Sequence, residues 1–436
     1  MFGQPQLIIA RPKRTFRVPS ESRAWNRSSG SLYIGIGTVK PSNGRLPPLW
    51  RTLAAPQPTP VRGPVGGKGS NRYHKELQAE INRVVGNTDT VLEAFSSMLG
   101  EEMRFKPIDE QVVALMGASS GIGRETAIRF AKRGAKVVVS ARNEGALRSL
   151  VDQIRRAGGE ALAVPADVAE FEQVKAVADR AAAVYGTLDT WVHLSGVGLY
   201  AAFDRTEPEE FKRVMDINLM GQVYGAMVAL PHLKREGRGA LIHISSVEAK
   251  RSALFHSAYA ASKHAIDGFL ESLRVELKRE GWSIGVTNVM PAAINTPFFS
   301  SSRSKIGVKP MGFPPIYQPN TVADVVLYAA EHPTREVVAG GAGKAMLLTQ
   351  RISPRLMDAL MLLAGFDSQK TDEPKSEDDP HNLFETIYED RIEGDFSDRA
   401  HPRSFHNWLE TYPLIRRAVL AGLALGTARL LRARRS

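Results

Sequence analysis

The sequence predicts an α/β fold in which a doubly wound parallel sheet carries helices on both faces. Short apolar runs recur through the middle of the chain, and helix-length amphipathic stretches separate them. The runs are apolar on both faces, as in parallel strands that helices cover on two sides. The predicted strands are residues 111–117, 135–141, 160–166, 188–195, 240–246 and 283–290, with a seventh at 335–341.

The composition divides the chain into four parts. Residues 1–75 hold 13 of the 57 Lys and Arg residues and only one of the 46 Asp and Glu residues, among many Pro, Gly and Ser residues. This composition predicts a disordered basic tail. Residues 76–107 have helical apolar spacing and predict a helical lead-in to the α/β domain, which spans 108–345. Residues 346–436 are expected to form a largely helical C-terminal extension.

Several stretches after the sixth strand have their own signals. Residues 291–315 are rich in Pro, Gly and Ser and predict a lid beside the carboxyl edge of the sheet. Helices are expected at 320–333 and 353–365, and residues 367–380 predict an exposed acidic linker. The arginine-flanked apolar segment at 418–428 is shorter than the roughly 20 residues that a bilayer span needs. It predicts an amphipathic helix that packs on the protein or lies on a membrane surface.

Composition also excludes several classes of protein. The chain has no cysteine, which excludes disulfide scaffolds, cysteine-ligated zinc and thiol catalysis. Nothing argues for secretion, so we expect a cytoplasmic protein, with membrane association left open by the terminal helix. No cluster of His, Asp and Glu has metal-ligand spacing, so no metal is expected. Nucleic-acid binding is not expected either, because the basic tail lacks interleaved aromatic side chains that stack on bases.

A glycine-rich turn follows the first predicted strand. Gly117, Gly121 and Gly123 have the spacing G-x-x-x-G-x-G before a helical pattern. Glycine permits a positive φ and a close approach of a pyrophosphate, whose charge the free N–H groups of a helix N-terminus meet. Arg142 ends the second strand, where an NAD site has an acid for the ribose diol. An arginine suits a 2′-phosphate, so NADP is expected in preference to NAD, the alternative being a solvated arginine.

A second motif carries candidate catalytic groups. Tyr259 and Lys263 are four residues apart at the start of a long helical pattern, so their side chains share one face. A free tyrosine, with a pKa of about 10, is a poor acid–base catalyst at neutral pH, and an adjacent ammonium is expected to lower that pKa. Ser246 follows a predicted strand that ends at the same edge. A Tyr-x-x-x-Lys pattern also arises by chance on surface helices, but here it occurs together with the glycine turn.

The ordered motifs resemble the classical short-chain dehydrogenase/reductase family over roughly residues 108–345. The similar stretches are GASSGIG at 117–123, ADV at 166–168, INLMG at 217–221, ISS at 244–246, YAASK at 259–263 and PAAINTPF at 291–298. The chain departs from the family's pattern at Met116, at His193 within HLSG and at Ala292. We expect His193 to be a structural residue that donates the hydrogen bonds an asparagine would make.

The resemblance implies a Rossmann-type fold and a role for each matching residue. Tyr259 would be the proton donor or acceptor, and Lys263 would hold the nicotinamide ribose and tune Tyr259. Ser246 would position the reacting oxygen, and Asn218 would hold a water that leads to Lys263. The implied cofactor contacts are Gly117, Ser119, Ser120, Gly121, Ile122, Gly123, Arg142, Asp167, Val168, Tyr259, Lys263 and Thr296. Asp167 and Val168 would border the adenine, and Thr296 would contact the carboxamide side.

The resulting hypothesis is an NADP-dependent oxidoreductase that transfers hydride between the nicotinamide and a carbonyl or secondary alcohol of a small molecule. Tyr259 would act as its acid/base. One alternative is an NADP(H)-binding sensor or membrane-associated scaffold without turnover. Another is an epimerase or dehydratase of related fold. The resemblance also implies a homo-oligomer.

Overall fold

The computed structural model describes residues 105–412. The predicted basic tail, nearly all of the helical lead-in and the terminal amphipathic helix lie outside the described residues. The strands are β1 (Val112–Met116), β2 (Lys136–Ser140), β3 (Glu160–Ala163), β4 (Thr190–His193), β5 (Leu199–Tyr200), β6 (Arg238–Ile244), β7 (Ser283–Pro291), β8 (Arg303–Ser304), β9 (Val308–Pro310), β10 (Glu336–Ala339) and β11 (Lys370–Pro374). The α-helices are α1 (Gly121–Lys132), α2 (Glu144–Arg156), α3 (Phe171–Tyr185), α4 (Pro208–Met215), α5 (Gly221–Glu236), α6 (Ser257–Glu280), α7 (Phe298–Ser301), α8 (Asn320–Glu331), α9 (Gly341–Ile352), α10 (Pro354–Leu360), α11 (Phe366–Ser368) and α12 (Phe405–Thr411).

Seven of these strands form one sheet in the order β10-β7-β6-β4-β1-β2-β3. Every pairing within it is parallel, so all seven carboxyl ends lie at the same edge. The strand order reverses between β1 and β4, and the crevice at such a switch point is where open α/β sheets bind ligands. The seven predicted strands and the fold class are confirmed.

Helices cover both faces of the sheet, and the alternation of side chains along β1 explains why. Val113 and Leu115 belong to a buried cluster that also takes in α1, α2 and α8. Val112, Ala114 and Met116 point to the other face and join a second cluster with α3, α5 and α6. Both faces of the strand are therefore buried, which accounts for its continuous apolar sequence.

Helix α6 places the candidate catalytic residues at the carboxyl edge. It runs for 24 residues and ends at Gly281, whose φ of +79° gives a left-handed C-cap. Tyr259 and Lys263 occupy its first two turns. Immediately before α5, a π-helical turn spans Asp216–Met220 and carries Asn218.

Two predicted loops have more structure than the sequence indicated. The lid at 291–315 contains α7, β8 and β9, and β8 pairs with β5. The expected exposed acidic linker at 367–380 contains β11, which pairs antiparallel with β9 of the lid. Main-chain hydrogen bonds fix this strand while its acidic side chains stay exposed. The helix expected at 353–365 is present as α10 and a following π-helical turn, and the predicted domain boundary at 345 falls inside α9.

Candidate active site

Two cavities meet at the carboxyl edge of the sheet. The first, of about 210 Å³, lies between the glycine turn, the ends of β2 and β4, and a segment of the C-terminal extension. We call it the dinucleotide cleft. The second, of about 360 Å³, is lined by Ser246, Tyr259, Lys263 and the lid, and we call it the substrate cavity. Both share Ile122, Leu194, Gly196, Thr296 and Phe298.

The glycine turn has the geometry that a close backbone approach requires. Gly117 and Gly121 have φ values of +84° and +53°. A Cβ on Gly117 would lie 2.7 Å from the main-chain nitrogen of Ser195, and one on Gly123 would collide with the Gly117 carbonyl. These glycines leave a cradle that side chains would fill, at the N-terminus of α1, so the turn fits the phosphates of a dinucleotide.

The predicted cofactor residues are brought together. Those lining the dinucleotide cleft are Gly117, Ser119, Ser120, Gly121, Ile122, Gly123, Arg142, Asp167, Val168 and Thr296. Tyr259 and Lys263 line the adjoining substrate cavity. What each of them contacts in a bound cofactor stays a prediction.

Charged groups at the far end of the cleft are already engaged within the protein. Arg142 donates from Nη2 to the carbonyl oxygen of Asn382 at 2.6 Å, and burial lowers the pKa of this guanidinium. Asp167 pairs with Arg213 at 3.0 Å and accepts a hydrogen bond from the N–H of Ala169. Burial opposes ionisation of Asp167, but these two donors outweigh it and lower the pKa of the carboxyl.

Three residues of the implied tetrad, Ser246, Tyr259 and Lys263, line the substrate cavity, and the fourth, Asn218, is fully buried. Lys263 Nζ donates to the carbonyl oxygen of Ile244 at 3.0 Å and lies 5.2 Å from the ring centroid of Tyr259. Ser246 lies near enough to the Tyr259 phenol to influence its pKa, and the Ser246 hydroxyl accepts a hydrogen bond from the N–H of Glu248 at 3.1 Å. Asn218 exchanges two hydrogen bonds with the main chain of Val197, at 2.8 and 3.0 Å. A Cβ on Gly196 would lie 3.6 Å from Asn218 Oδ1 and 3.8 Å from Lys263 Nζ, so both groups border one point.

Burial dominates the electrostatics of this wall. It raises the pKa of Tyr259, an effect to which the Glu248 carboxylate adds and which the nearby Ser246 hydroxyl opposes. It lowers the pKa of Lys263 to about 7, against the attraction of Glu248. Loss of solvent thus acts in the direction opposite to the one expected of an adjacent ammonium, and the tuning of Tyr259 by Lys263 stays a prediction. Tyr259 holds its proton at neutral pH.

An aromatic stack beside Tyr259 was not predicted from the sequence. The His256 ring lies between two tyrosines, with its centroid 4.1 Å from Tyr200 and 4.3 Å from Tyr259. His256 Nδ1 lies 3.0 Å from a carboxylate oxygen of Glu248. This stack fixes the plane of the Tyr259 ring. Glu248 follows Ser246 by only two residues. This closeness in sequence was the signal that could have placed an acid beside the candidate site.

His193 departs from its expected role. The side chain is fully buried in β4, as predicted, but neither ring nitrogen has a hydrogen-bond partner among residues 105–412. Its ring is nearly parallel to that of His243, with the two centroids 6.1 Å apart. Helix α5 approaches so closely that a Cβ on Gly225 would lie 2.5 Å from His193 Nδ1. His193 is therefore surrounded by another ring and a tightly packed helix instead of by hydrogen-bond partners. Burial holds the pKa of His193 well below its usual range.

Residues 105–412 lack a metal site and a membrane-spanning helix. No group of His, Cys, Asp and Glu in that part of the chain could hold a metal ion. None of the helices described there combines the length and the apolar character that crossing a membrane requires.

Comparison with known proteins places these features in one family. The short chain dehydrogenase family model matches residues 111–307. An uncharacterized oxidoreductase, YxnA of Bacillus subtilis, is 35% identical over 350 residues, which cover 80% of this chain and 98% of that protein. The 11-beta-hydroxysteroid dehydrogenase-like protein 2 of Arabidopsis thaliana is 35% identical over 198 residues, 45% of this chain and 63% of that protein.

A solved structure agrees with the observed fold. The crystal structure of a short chain dehydrogenase/reductase from Burkholderia phymatum in complex with NAD is 25% identical, with a TM-score of 0.53. The match covers 58% of this chain and 96% of that one. The parallel sheet, the glycine turn and the extent of the similarity to YxnA agree with one another, and the chain belongs to the short-chain dehydrogenase/reductase family of oxidoreductases.

Proposed function

We propose that this protein is an NADP-dependent oxidoreductase that transfers hydride between the nicotinamide and a carbonyl or secondary alcohol, with Tyr259 as the acid/base. The observation that carries the proposal is the position of the Tyr259 phenol. It lies with Ser246 and Lys263 on the wall of a cavity that shares lining residues with the dinucleotide cleft. A hydride carrier in the cleft would therefore reach the carbon of a substrate carbonyl while the proton donor reaches its oxygen.

Each residue of the wall has a distinct task in carbonyl reduction. A nicotinamide dinucleotide bound in the cleft would supply the hydride. Ser246 orients the substrate oxygen, and Tyr259, protonated because of its raised pKa, gives that oxygen a proton. Lys263 and Asn218 border one point behind the tyrosine and supply a polar route by which the proton is replaced.

The choice of NADP rests on the end of β2. Ala141 and Arg142 stand where a carboxylate would bind the ribose hydroxyls of NAD. The half-buried Arg142 guanidinium donates one N–H to Asn382 and has other N–H groups for a 2′-phosphate. The Burkholderia phymatum relative was solved with NAD, so the two cofactors have to be compared directly.

The substrate cavity favours a mainly apolar carbonyl compound. Its walls include Phe298, Phe299, Phe313, Met346, Met357 and Met361. Polar groups cluster near Tyr259, where Ser246 and Glu248 face the cavity. Such a wall accepts an apolar body and directs one oxygen toward the tyrosine.

The test is a panel of ketones, aldehydes and secondary alcohols assayed with NADPH and NADH in parallel. We expect turnover with NADPH, and a loss of at least 1,000-fold in kcat for Tyr259→Phe with cofactor affinity unchanged. Arg142→Ala is expected to weaken NADPH binding at least tenfold and NADH binding little. Full turnover by Tyr259→Phe would refute the role of the phenol, and equal effects of Arg142→Ala on both cofactors would refute the choice of NADP.

The alternative of an NADP(H)-binding sensor or scaffold predicts cofactor binding without turnover across the same panel. The convergence of Ser246, Tyr259 and Lys263 in one cavity favours the enzyme. A homo-oligomer and a peripheral membrane contact through the terminal helix stay predictions, to be tested by light scattering of the purified protein and by sedimentation with lipid vesicles.

A further inference from the structure

Residues 382–394 of the C-terminal extension lie along the dinucleotide cleft, and we call them the strap. Asn382, Thr386, Ile387 and Glu389 line the cleft together with the glycine turn. The strap lies beyond residues 111–307, the part of the chain that the family model matches. A dinucleotide held on the glycine turn would thus contact a second surface that this extension supplies.

The first half of the strap is tied to the end of β2 and to α2. Besides the bond from Arg142 to Asn382, Asn143 donates from Nδ2 to the carbonyl oxygen of Ile387 at 3.2 Å. The Ser149 hydroxyl donates to Asp390 at 3.1 Å. The strap therefore follows the side of the cleft where the 2′-phosphate of NADP is expected.

The second half is tied to the glycine turn and to the lid. The N–H of Gly121 donates to the carbonyl oxygen of Arg391 at 2.9 Å. Gly394 packs so closely on Thr296 that a Cβ there would collide with the Thr296 carbonyl oxygen. Gly121 and Thr296 both line the cleft, so the strap reaches from one end of the cleft to the other.

Buried residues anchor the strap at its two ends. Leu383 is fully buried, and Phe396, just beyond the strap, packs against Phe299 in a third apolar cluster. Between these anchors Phe384, Tyr388 and Arg391 are exposed. The three hydrogen bonds described above that hold the middle contribute only about 0.5–1.5 kcal/mol net each, so the middle can lift while both ends stay in place.

We propose that the strap is the outer wall of the cofactor site and that a nicotinamide dinucleotide enters and leaves only when its middle lifts away from Gly121 and Asn143. The proposal rests on the proposed function in one respect, that the cleft binds such a dinucleotide. Closure of the strap retains the cofactor from one turnover to the next, and strap opening sets the rate of exchange.

The first experiment measures NADPH dissociation by stopped-flow fluorescence with an excess of unlabelled NADP⁺ as competitor. Gly394→Ala pushes the strap away from Thr296, and we expect it to raise the dissociation rate at least tenfold. Gly268→Ala in α6 is the matched control, because a Cβ there meets nothing within 4 Å. Equal dissociation rates for wild type and Gly394→Ala would count against the strap.

A second experiment tests movement of the strap with a variant that leaves the contact with Thr296 unchanged. The chain has no cysteine, so the pair Ser149→Cys and Asp390→Cys can be joined selectively by a short bismaleimide. Linking the full-length protein with NADPH inside is expected to slow release at least tenfold, and linking it before NADPH is added to slow binding similarly. The same double variant without the linker is the control.

The outcomes distinguish the two proposals. A wild-type protein that binds neither NADPH nor NADH overturns the proposed function and the strap with it. A protein that binds NADPH, but exchanges it as fast when linked as when unlinked, overturns the strap alone.

Discussion

Replacing Lys263 by methionine should stabilise the protein while abolishing its activity. Lys263 is buried, and its pKa falls from the ordinary 10.5 to about 7. At about 1.4 kcal/mol for each pH unit between the two values, the buried amine costs the folded state about 5 kcal/mol at pH 6. Methionine removes that cost and loses one hydrogen bond, of about 1 kcal/mol. The Ile244 carbonyl stays satisfied, because Gln222 Nε2 also donates to it at 2.9 Å.

The pH dependence of this gain identifies its cause. Between pH 7 and 10.5 the unfolded chain binds the proton and the folded chain does not, so wild-type stability rises with pH across this window. The advantage of Lys263→Met should therefore be about 4 kcal/mol at pH 6 and about 1 kcal/mol at pH 9, measured by urea unfolding. Lys212→Met, at an exposed lysine, is the control and should change stability by less than about 0.5 kcal/mol. A variant less stable than wild type at pH 6 would refute the reasoning.

Three further predictions concern the Tyr259 phenol and the close contacts of Gly123 and Gly225. The kcat for alcohol oxidation should rise without a plateau up to at least pH 10, because Tyr259 must lose its proton and its pKa is raised; a plateau near pH 7 would contradict this. Gly123→Ala should weaken NADPH binding at least 100-fold in a fluorescence titration, because its Cβ collides with the Gly117 carbonyl, whereas Gly268→Ala should bind normally. Gly225→Ala should cost at least about 2 kcal/mol in urea unfolding, because its Cβ would lie 2.5 Å from His193 Nδ1 and 2.7 Å from Trp191 Nε1.

The sheet and the glycine turn could be predicted because their signals are local. A strand covered on both faces, such as β1, must be continuously apolar, and the collision at Gly123 excludes every other residue type. The pairing of Tyr259 with Lys263 is local as well, since it needs only one turn of helix. These features depend on residues that are close in sequence, so a single chain displays them.

The strap and the electrostatics of the site could not be predicted, because they depend on distant contacts. The strap's ties at Asn382, Ile387 and Arg391 use main-chain carbonyl oxygens, which every residue type possesses. Charged side chains in that region therefore suggest a solvated extension, as they did at 367–380. The pKa of Tyr259 likewise depends on how much water the lid and α6 exclude, which the spacing of two residues does not reveal.

Loss of solvent around Lys263 lowers the stability of the folded protein, and loss of solvent around Tyr259 keeps the phenol protonated for carbonyl reduction. Lys263 is buried and Tyr259 is partly buried, and the loss of solvent favours the neutral amine and the neutral phenol. Glu248 lies close enough to act on both groups, raising both pKa values, and it also holds His256 against the Tyr259 ring. The carboxylate thus preserves part of the lysine's charge and adds to the effect of burial on the phenol, so one partly buried acid links the instability of this wall to its capacity to donate a proton.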